Sequence, residues 1–249
     1  MKATIYSLEG KALKQIDLPE IFSSPLREDL VKRAVLSEES KLRQPKGNYV
    51  LAGLETSARY RGRKGDFGTV KNMGIPHLPH EVLPGGRLGK VKRVPHAVKG
   101  RRAHPPKITK KIAELLNKKE HSRALASAIA FTADRDTVCK RNHADIGISI
   151  PLVLEKQFEE IKKTKDVEKL LTALNLDKFL EKSKRNGTKS ILVVVSDSSK
   201  TKAAANLPGV DLVKASELRV RHLAPGTHPG RLTLFTEGSL PDIAKRFSL

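Results

Sequence analysis

Residues 57–111 carry a charge that the chain cannot balance by itself. This basic segment holds fifteen Lys or Arg side chains against two acids, Asp66 and Glu81, so it contributes +13 of the net charge of +21. It also contains eight of the 17 Gly and six of the 14 Pro residues. Glycine and proline disfavour helix and strand interiors, and crowded cations repel one another. The segment therefore predicts an arm whose counter-charge comes from outside the chain.

The composition of the whole chain narrows the choice of partner. A chain of 249 residues, 38% of them hydrophobic, suits one large or two small domains. Its net charge favours a polyanion, either nucleic acid or an anionic membrane surface. No apolar run approaches the roughly 18–20 residues that span a membrane, and MKATIYSLEGK at the start lacks a signal-peptide core. A single cysteine, Cys139, excludes an internal disulfide and fits a reducing cytosol. We therefore expect a cytoplasmic protein with no membrane partner.

Secondary-structure signals before and after the basic segment are strong. Residues 3–8 and 13–18 predict a β-hairpin around Glu9–Lys11. Ser24 and Pro25 have the residue types of an N-cap and a first helical position, and apolar residues then recur at helical spacing. Asn117 followed by Glu120 predicts a capping box before a helix over 123–134.

The C-terminal part alternates strands with helices. SILVVVSD, residues 190–197, is a continuous β-branched run of the kind found in strands buried on both faces. Further strands are predicted at 148–155, 211–215 and 231–237, and helices at 166–174, 177–185, 199–207, 216–223 and 239–247. This alternation predicts an α/β fold with a mostly parallel sheet and helices on both faces.

The basic segment lacks such signals and interrupts the α/β body. We predict a globular α/β domain from 1–56 and 108–249, with an extended loop at 57–107 inserted in it. Loops longer than roughly 12–15 residues are uncommon in compact domains unless they are functional or disordered. Used as an out-and-back excursion, such a loop could reach at most about 90 Å.

Nucleic-acid binding explains the arm best from the residues alone. Arg and Lys neutralise phosphates, and a Gly- and Pro-rich basic segment suits ordering within folded RNA. A flexible linker and a metal site are the alternatives, the latter because His77 and His80 precede Glu81. The surrounding cations would repel a divalent ion. Asp197–Ser199 follows the strand of 190–197, where α/β enzymes place ligands, but a turn and helix cap explain these residues better.

Several stretches resemble one family. AVKGRRAHPPK at 97–107, preceded by KRVPH, resembles the end of the internal loop in the large-ribosomal-subunit protein four family, in its archaeal and eukaryotic form. LAPGTHPGRLTLFTEGSL at 223–240 resembles the closing loop and strand of that family. ATIYSLEG and SILVVVSD resemble its opening and central strands. The resemblance extends over nearly the whole chain.

The resemblance implies a structural protein of the large ribosomal subunit, not an enzyme, with no cofactor. It implies binding to large-subunit (23S) rRNA, an early role in subunit assembly, and a loop that reaches the nascent-peptide exit tunnel. Its implied partners are other large-subunit proteins, including protein twenty-two near the tunnel, and the nascent peptide in passing. Two other functions remain open from the residues: an RNA-processing enzyme or nuclease that grips its substrate with the arm, and a DNA-compacting architectural protein.

The resemblance also suggests roles for individual residues. The predicted RNA-binding residues are Arg59, Arg61, Arg63, Lys64, Lys71, Arg87, Lys90, Lys92, Arg93, His96, Lys99, Gly100, Arg101, Arg102, His104 and Lys107. The tip, around Met73 to Pro84, is the segment expected to face the tunnel. The predicted tunnel-facing residues are Met73, Ile75, His77, Leu78 and His80.

Overall fold

The β-branched run at 190–197 forms an interior strand of a six-stranded sheet. The computed structural model describes residues 1–143, 146–197 and 201–247. The strands of the sheet are β1 (Lys2–Tyr6), β2 (Ala12–Asp17), β5 (Leu152–Leu154), β6 (Ile191–Val195), β7 (Val210–Lys214) and β8 (Thr233–Thr236). Their order is β2-β1-β5-β8-β6-β7, and every pair except β1–β2 is parallel. The prediction of a mostly parallel sheet is confirmed.

Helices cover both faces of this sheet. They are α1 (Glu28–Ser40), α2 (Lys118–Ala133), α3 (Arg135–Asn142), α4 (Thr164–Ala173), α5 (Asp177–Asn186), α6 (Lys202–Ala205), α7 (Val220–Leu223) and α8 (Ser239–Lys245). Side chains alternate along β6, so Leu192 and Val194 pack with α1, α2, α7 and α8 in one core. Ile191, Val193 and Val195 pack with α3, α4, α5 and α6 in the other.

One predicted helix start is wrong and one predicted capping box does not form, because long-range partners override local capping signals. Helix α1 begins at Glu28 with Arg27 at its N-cap, not at Ser24 and Pro25. The Arg27 amide donates to Ser127 Oγ of α2 at 2.8 Å, which takes the place of a local cap. Asn117 is the N-cap of α2, but its side chain makes no capping hydrogen bond. Glu120, the other half of the predicted box, accepts from Arg33 Nη1 of α1 at 2.6 Å instead.

Other predicted elements form with shorter bounds. The β1–β2 hairpin is confirmed, with Ser7 and Lys11 closing its turn. Strand β5 covers three of the eight residues predicted at 148–155, and Pro151, which has no N–H to donate, directly precedes it. The predicted cap residues Ser198 and Ser199 lie outside the described residues.

The chain divides into two compact units. The first unit comprises residues 1–42 and 113–249, and it contains the six-stranded sheet and helices α1–α8. The second unit, Arg43–Ile112, contains the two-stranded sheet of β3 (His80–Val82) and β4 (Leu88–Val91). It begins before and ends after the segment 57–107, whose role as a separate loop stays a prediction. Among the residues described, no helix has the length and apolar character needed to cross a membrane.

Candidate nucleic-acid interface

The second unit has a high density of positive charge that is not balanced by acidic residues. It contains 17 Lys or Arg residues against three acids, Glu55, Asp66 and Glu81. None of these cations forms an ion pair within the part of the chain that the structure describes. Only Ala58, Val70 and His80 of its 70 residues are buried. The cations therefore remain available to a polyanion.

Backbone hydrogen bonds, rather than a core, hold the first half of this unit together. The Arg59 amide donates to the His80 carbonyl at 3.2 Å, and the Val70 amide donates to the Arg61 carbonyl at 3.0 Å. The Lys92 amide donates to the Pro79 carbonyl at 3.0 Å and so continues the pairing of β3 with β4 by one position. These contacts fix the backbone beside the arginines while their side chains stay near the surface.

The basic motif at 93–102 is folded into turns rather than extended. The amides of Ala97 and Gly100 donate to the carbonyls of Val94 and Ala97, at 3.1 and 3.0 Å, and so form two consecutive turns. A Cβ at Gly100 would lie 2.0 Å from the Val94 carbonyl oxygen, so the turns require glycine there. The prediction of an extended loop is therefore wrong over 94–100, where the backbone forms hydrogen-bonded turns.

Most of the predicted RNA-binding side chains lie at the surface. Arg61, Lys92 and Gly100 are partly buried, and the other thirteen predicted positions are exposed. Arg61 Nη1 donates to the Phe67 carbonyl at 2.9 Å, and Lys92 Nζ donates to the Val98 carbonyl at 3.3 Å. Arg93 Nη1 donates to the Ala58 carbonyl at 3.1 Å. These three side chains therefore support the backbone of the unit, and no side chain at the other predicted positions makes a hydrogen bond with the residues that the structure describes.

The five predicted tunnel-facing residues differ in exposure. Met73 and His77 are exposed, and Ile75 and Leu78 are partly buried. His80 is only 7% exposed, and its Nδ1 lies 2.8 Å from the Leu78 carbonyl oxygen. The His80 imidazole thus supports the turn before β3. Which of the five faces a tunnel stays a prediction.

A basic groove lies where the two ends of the second unit meet. It has a volume of about 1180 Å³ and is lined by residues 43–46 and by parts of 102–112. Six of its lining residues are cations and none is acidic: Arg43, Lys46, Arg102, Lys107, Lys110 and Lys111. Four of these, Arg43, Lys46, Lys110 and Lys111, are absent from the predicted site. Their positive charge could have identified them as RNA-binding candidates. They were missed because the predicted site was limited to the loop, and they lie outside its predicted boundaries.

The alternative metal site receives no support from the geometry. Within residues 1–143, 146–197 and 201–247, no group of three His, Cys, Asp or Glu side chains could hold a metal ion. The His80 imidazole is buried and engaged with Leu78, as described above.

Charged side chains in the first unit differ from those of the second, because several are buried and join elements of the fold through hydrogen bonds. The Arg231 side chain is buried and donates to the carbonyls of His222 and Lys189, each at 2.8 Å. Its Nη1 also lies 3.3 Å from Asp211 Oδ2. Burial lowers the pKa of Arg231, whereas the Asp211 charge raises it. Burial, with repulsion from Arg231, lowers the pKa of the nearby Arg141 to about 10.

Glu38 clamps three elements of the first unit together. Its carboxylate lies 2.7 Å from His121 Nε2 of α2 and accepts from the amides of Val220 and Arg221 at the start of α7. Burial raises the pKa of Glu38, but the hydrogen bonds from His121, Arg221 and Val220 outweigh it and hold the pKa below the ordinary value. The buried carboxylate is therefore stabilised in its charged form.

Comparisons with known proteins show the family of the chain. A sequence model described as the "Ribosomal protein L4/L1 family" matches residues 16–246. The "Large ribosomal subunit protein uL4" of Methanocaldococcus jannaschii is 42% identical over 265 aligned positions, which cover 99% of this chain and 100% of that protein. The proteins of the same name from Haloarcula marismortui and Archaeoglobus fulgidus are 39% and 40% identical, over 99% and 96% of this chain and 100% and 97% of their own lengths. The chain belongs to the ribosomal protein L4/L1 family.

Proposed function

We propose that the chain is a structural component of the large ribosomal subunit that binds large-subunit rRNA through its second unit. The observation that carries the proposal is the charge of that unit, 17 cations against three acids with no ion pair described among them. Phosphate is the counter-charge that such a surface fits. The family consists of ribosomal structural proteins, so the chain is not an enzyme and works in the cytoplasm within the ribosome.

The proposal extends to where the second unit goes. Residues 57–107 penetrate the rRNA, and the segment from Met73 to Pro84 reaches the nascent-peptide exit tunnel, near protein twenty-two. The unit is bound while the subunit assembles. Support comes from the names of the relatives and from the small buried fraction of the unit, since a segment without a core gains most of its order from a partner.

Sedimentation of a gentle cell extract on a sucrose gradient tests the role in the subunit. The chain, followed by antibody, should co-migrate with large subunits before and after a high-salt wash. A full-length variant with Arg101 and Arg102 changed to Gln should be released by the wash, whereas the matched change of the exposed Lys165 and Lys169 in α4 should not. Migration of the unaltered chain near the top of the gradient would refute the proposal.

Cross-linking tests the tunnel. A photoreactive amino acid in place of Met73 should cross-link to a nascent peptide in stalled ribosomes, and the same group in place of the exposed Lys165 should not. If ribosomes retain the chain but give no cross-link at Met73, His77 or Leu83, the proposal that this segment reaches the tunnel is refuted. The proposal of RNA binding is unaffected by that result.

A further inference from the structure

Aromatic side chains are distributed unequally between the two units. The second unit has three, Tyr49, Tyr60 and Phe67, and all of them are exposed. The seven aromatic side chains of the first unit are all buried or partly buried. Phe67 is 82% exposed and Tyr60 is 55% exposed. Large apolar rings are therefore presented to the surroundings only in the unit that carries the excess positive charge.

Two of these rings lie against glycine. A Cβ at Gly62 would lie 2.1 Å from Tyr60 Oη and 2.3 Å from Cζ, so any other residue there would displace the Tyr60 ring. A Cβ at Gly86 would lie 2.8 Å from Phe67 Cε1. Each ring thus has bare backbone on one side and is open on the other. Tyr49 differs, because its hydroxyl is bound to the Glu55 carboxylate.

The loop that carries both rings is closed by hydrogen bonds. Thr69 Oγ1 donates to the Arg61 carbonyl at 3.2 Å, and the Val70 amide donates to the same oxygen at 3.0 Å. Arg61 Nη1 donates to the Phe67 carbonyl at 2.9 Å. The backbone that carries the rings is therefore held before any partner arrives, which reduces the entropy lost when one binds.

We infer that Tyr60 and Phe67 are stacking platforms for unpaired bases of RNA. This inference rests on the proposed function and specifies which part of the RNA the two rings recognise. Every nucleobase has an apolar face that stacks on an exposed aromatic ring, and unpaired bases offer that face. The exposed cations Arg59, Arg63 and Lys64 flank the rings and suit the phosphates on either side of a stacked base. An apolar protein surface would instead meet these charges and desolvate them without pairing.

A single tryptophan tests the stacking directly. The chain has no Trp, so Phe67→Trp in the full-length chain introduces one fluorophore. Single-stranded oligouridine should quench the emission of Phe67→Trp. RNA duplex and an abasic oligoribonucleotide of equal length should quench it much less, although both carry the same phosphates. The matched control is Leu13→Trp on the exposed side of β2, whose emission should not distinguish the three RNAs.

Affinity measurements on the same RNAs provide a second test. Tyr60→Leu and Phe67→Leu should each weaken binding to oligouridine by about 5- to 150-fold, the range for loss of one base–aromatic stack. Tyr60→Phe keeps the ring and should bind as the unaltered chain does. Val98→Ala, at an exposed apolar residue of the same unit, should also have no effect.

The outcomes separate this inference from the proposal on which it rests. If the unaltered chain binds none of the RNAs, RNA binding by the second unit fails. If it binds oligouridine and abasic RNA equally and the leucine variants bind normally, phosphate contacts suffice and the stacking platforms are refuted. RNA binding with unchanged emission of Phe67→Trp would likewise refute stacking at this ring.

Discussion

The two units of this chain obtain their order from different sources. The first unit has 179 residues, two hydrophobic cores and a net charge of +7, and eleven ion pairs are described in it. The second has 70 residues, three of them buried, and a net charge of +14. Where burial supplies the folding free energy, charges are paired or used as clamps. Where burial is scarce, no cation of the described residues is paired, and backbone hydrogen bonds take the place of a core.

Removing the second unit is the strongest way to test this contrast. Ser37 Oγ donates to the Glu114 carbonyl at 2.6 Å, and the Glu114 amide donates to Ser40 Oγ at 2.8 Å, so both ends of the cut are held within the first unit. Replacing residues 43–112 with a short Gly/Ser linker should preserve cooperative thermal unfolding, measured by circular dichroism.

The same deletion, which should preserve the fold of the first unit, should abolish most of the RNA binding. If six to ten phosphates are contacted, the affinity of the full chain for rRNA should fall by roughly 10³- to 10⁵-fold between about 50 and 200 mM salt. The deletion variant should bind weakly with a shallow salt dependence. An unfolded deletion variant, or one that keeps the steep dependence, would contradict the division of roles.

Core truncation should have a smaller effect and should act on one unit only. The Phe235 ring is fully buried and packs edge-on against Phe22, with ring centroids 5.3 Å apart. Phe235→Ala should lower the free energy of unfolding by about 3–5 kcal/mol, measured by urea denaturation. Val70→Ala, at a buried residue of the second unit, is the control and should leave the main transition unchanged. Equal losses would mean that the two units unfold as one.

The Glu38 clamp should make a smaller and pH-dependent contribution. Because its folded pKa lies below the ordinary 4.5, Glu38 stabilises the fold above that pH, and the contribution is lost as pH falls through the folded pKa. Glu38→Gln should cost about 1–3 kcal/mol near neutral pH, since a buried charged acceptor is lost. The difference from the unaltered chain should shrink as the solution becomes more acidic. A difference independent of pH would show that the carboxylate charge is irrelevant.

Surface charges should show the smallest effects on stability. Lys14 Nζ lies 2.7 Å from Glu237 Oε1 in the first unit, and Lys14→Gln should lower the free energy of unfolding by about 0.2–1 kcal/mol. Lys64→Gln in the second unit should leave stability unchanged and weaken RNA binding. Comparing thermal melts and RNA titrations of both variants checks this. A stability loss at Lys64 would mean that its charge has a partner within the chain.

Local patterns in the sequence were sufficient for most of the fold. The β-branched run at 191–195 and the alternation after it predict the parallel sheet, because hydrophobic burial follows residue type and period. The start of α1 at Glu28 and the absence of a capping hydrogen bond from the Asn117 side chain could not be predicted, since Ser127 and Arg33 lie far away in the sequence.

The same distinction holds for the candidate interface. The charge of the second unit is a property of composition and is visible in the sequence. The groove between 43–46 and 102–112 is not, because it depends on the approach of the two ends of the unit. Gly47 and Ile108 lie so close there that a Cβ at Gly47 would be 2.5 Å from Ile108 Cγ1. The turns at 94–100 depend on specific backbone hydrogen bonds, and the proline and glycine content of the segment does not specify them.

The order of the strands delays completion of the sheet during synthesis of the chain. Strand β8 is the last strand in chain order, and among the described residues it alone links β2-β1-β5 to β6-β7. At about 5–20 residues per second, roughly 6–24 s pass between synthesis of the last residue of the second unit and the first of β8. During that interval the cations are already present while the sheet is still in two halves. The sheet of the first unit can therefore be completed only after the whole second unit has been synthesised.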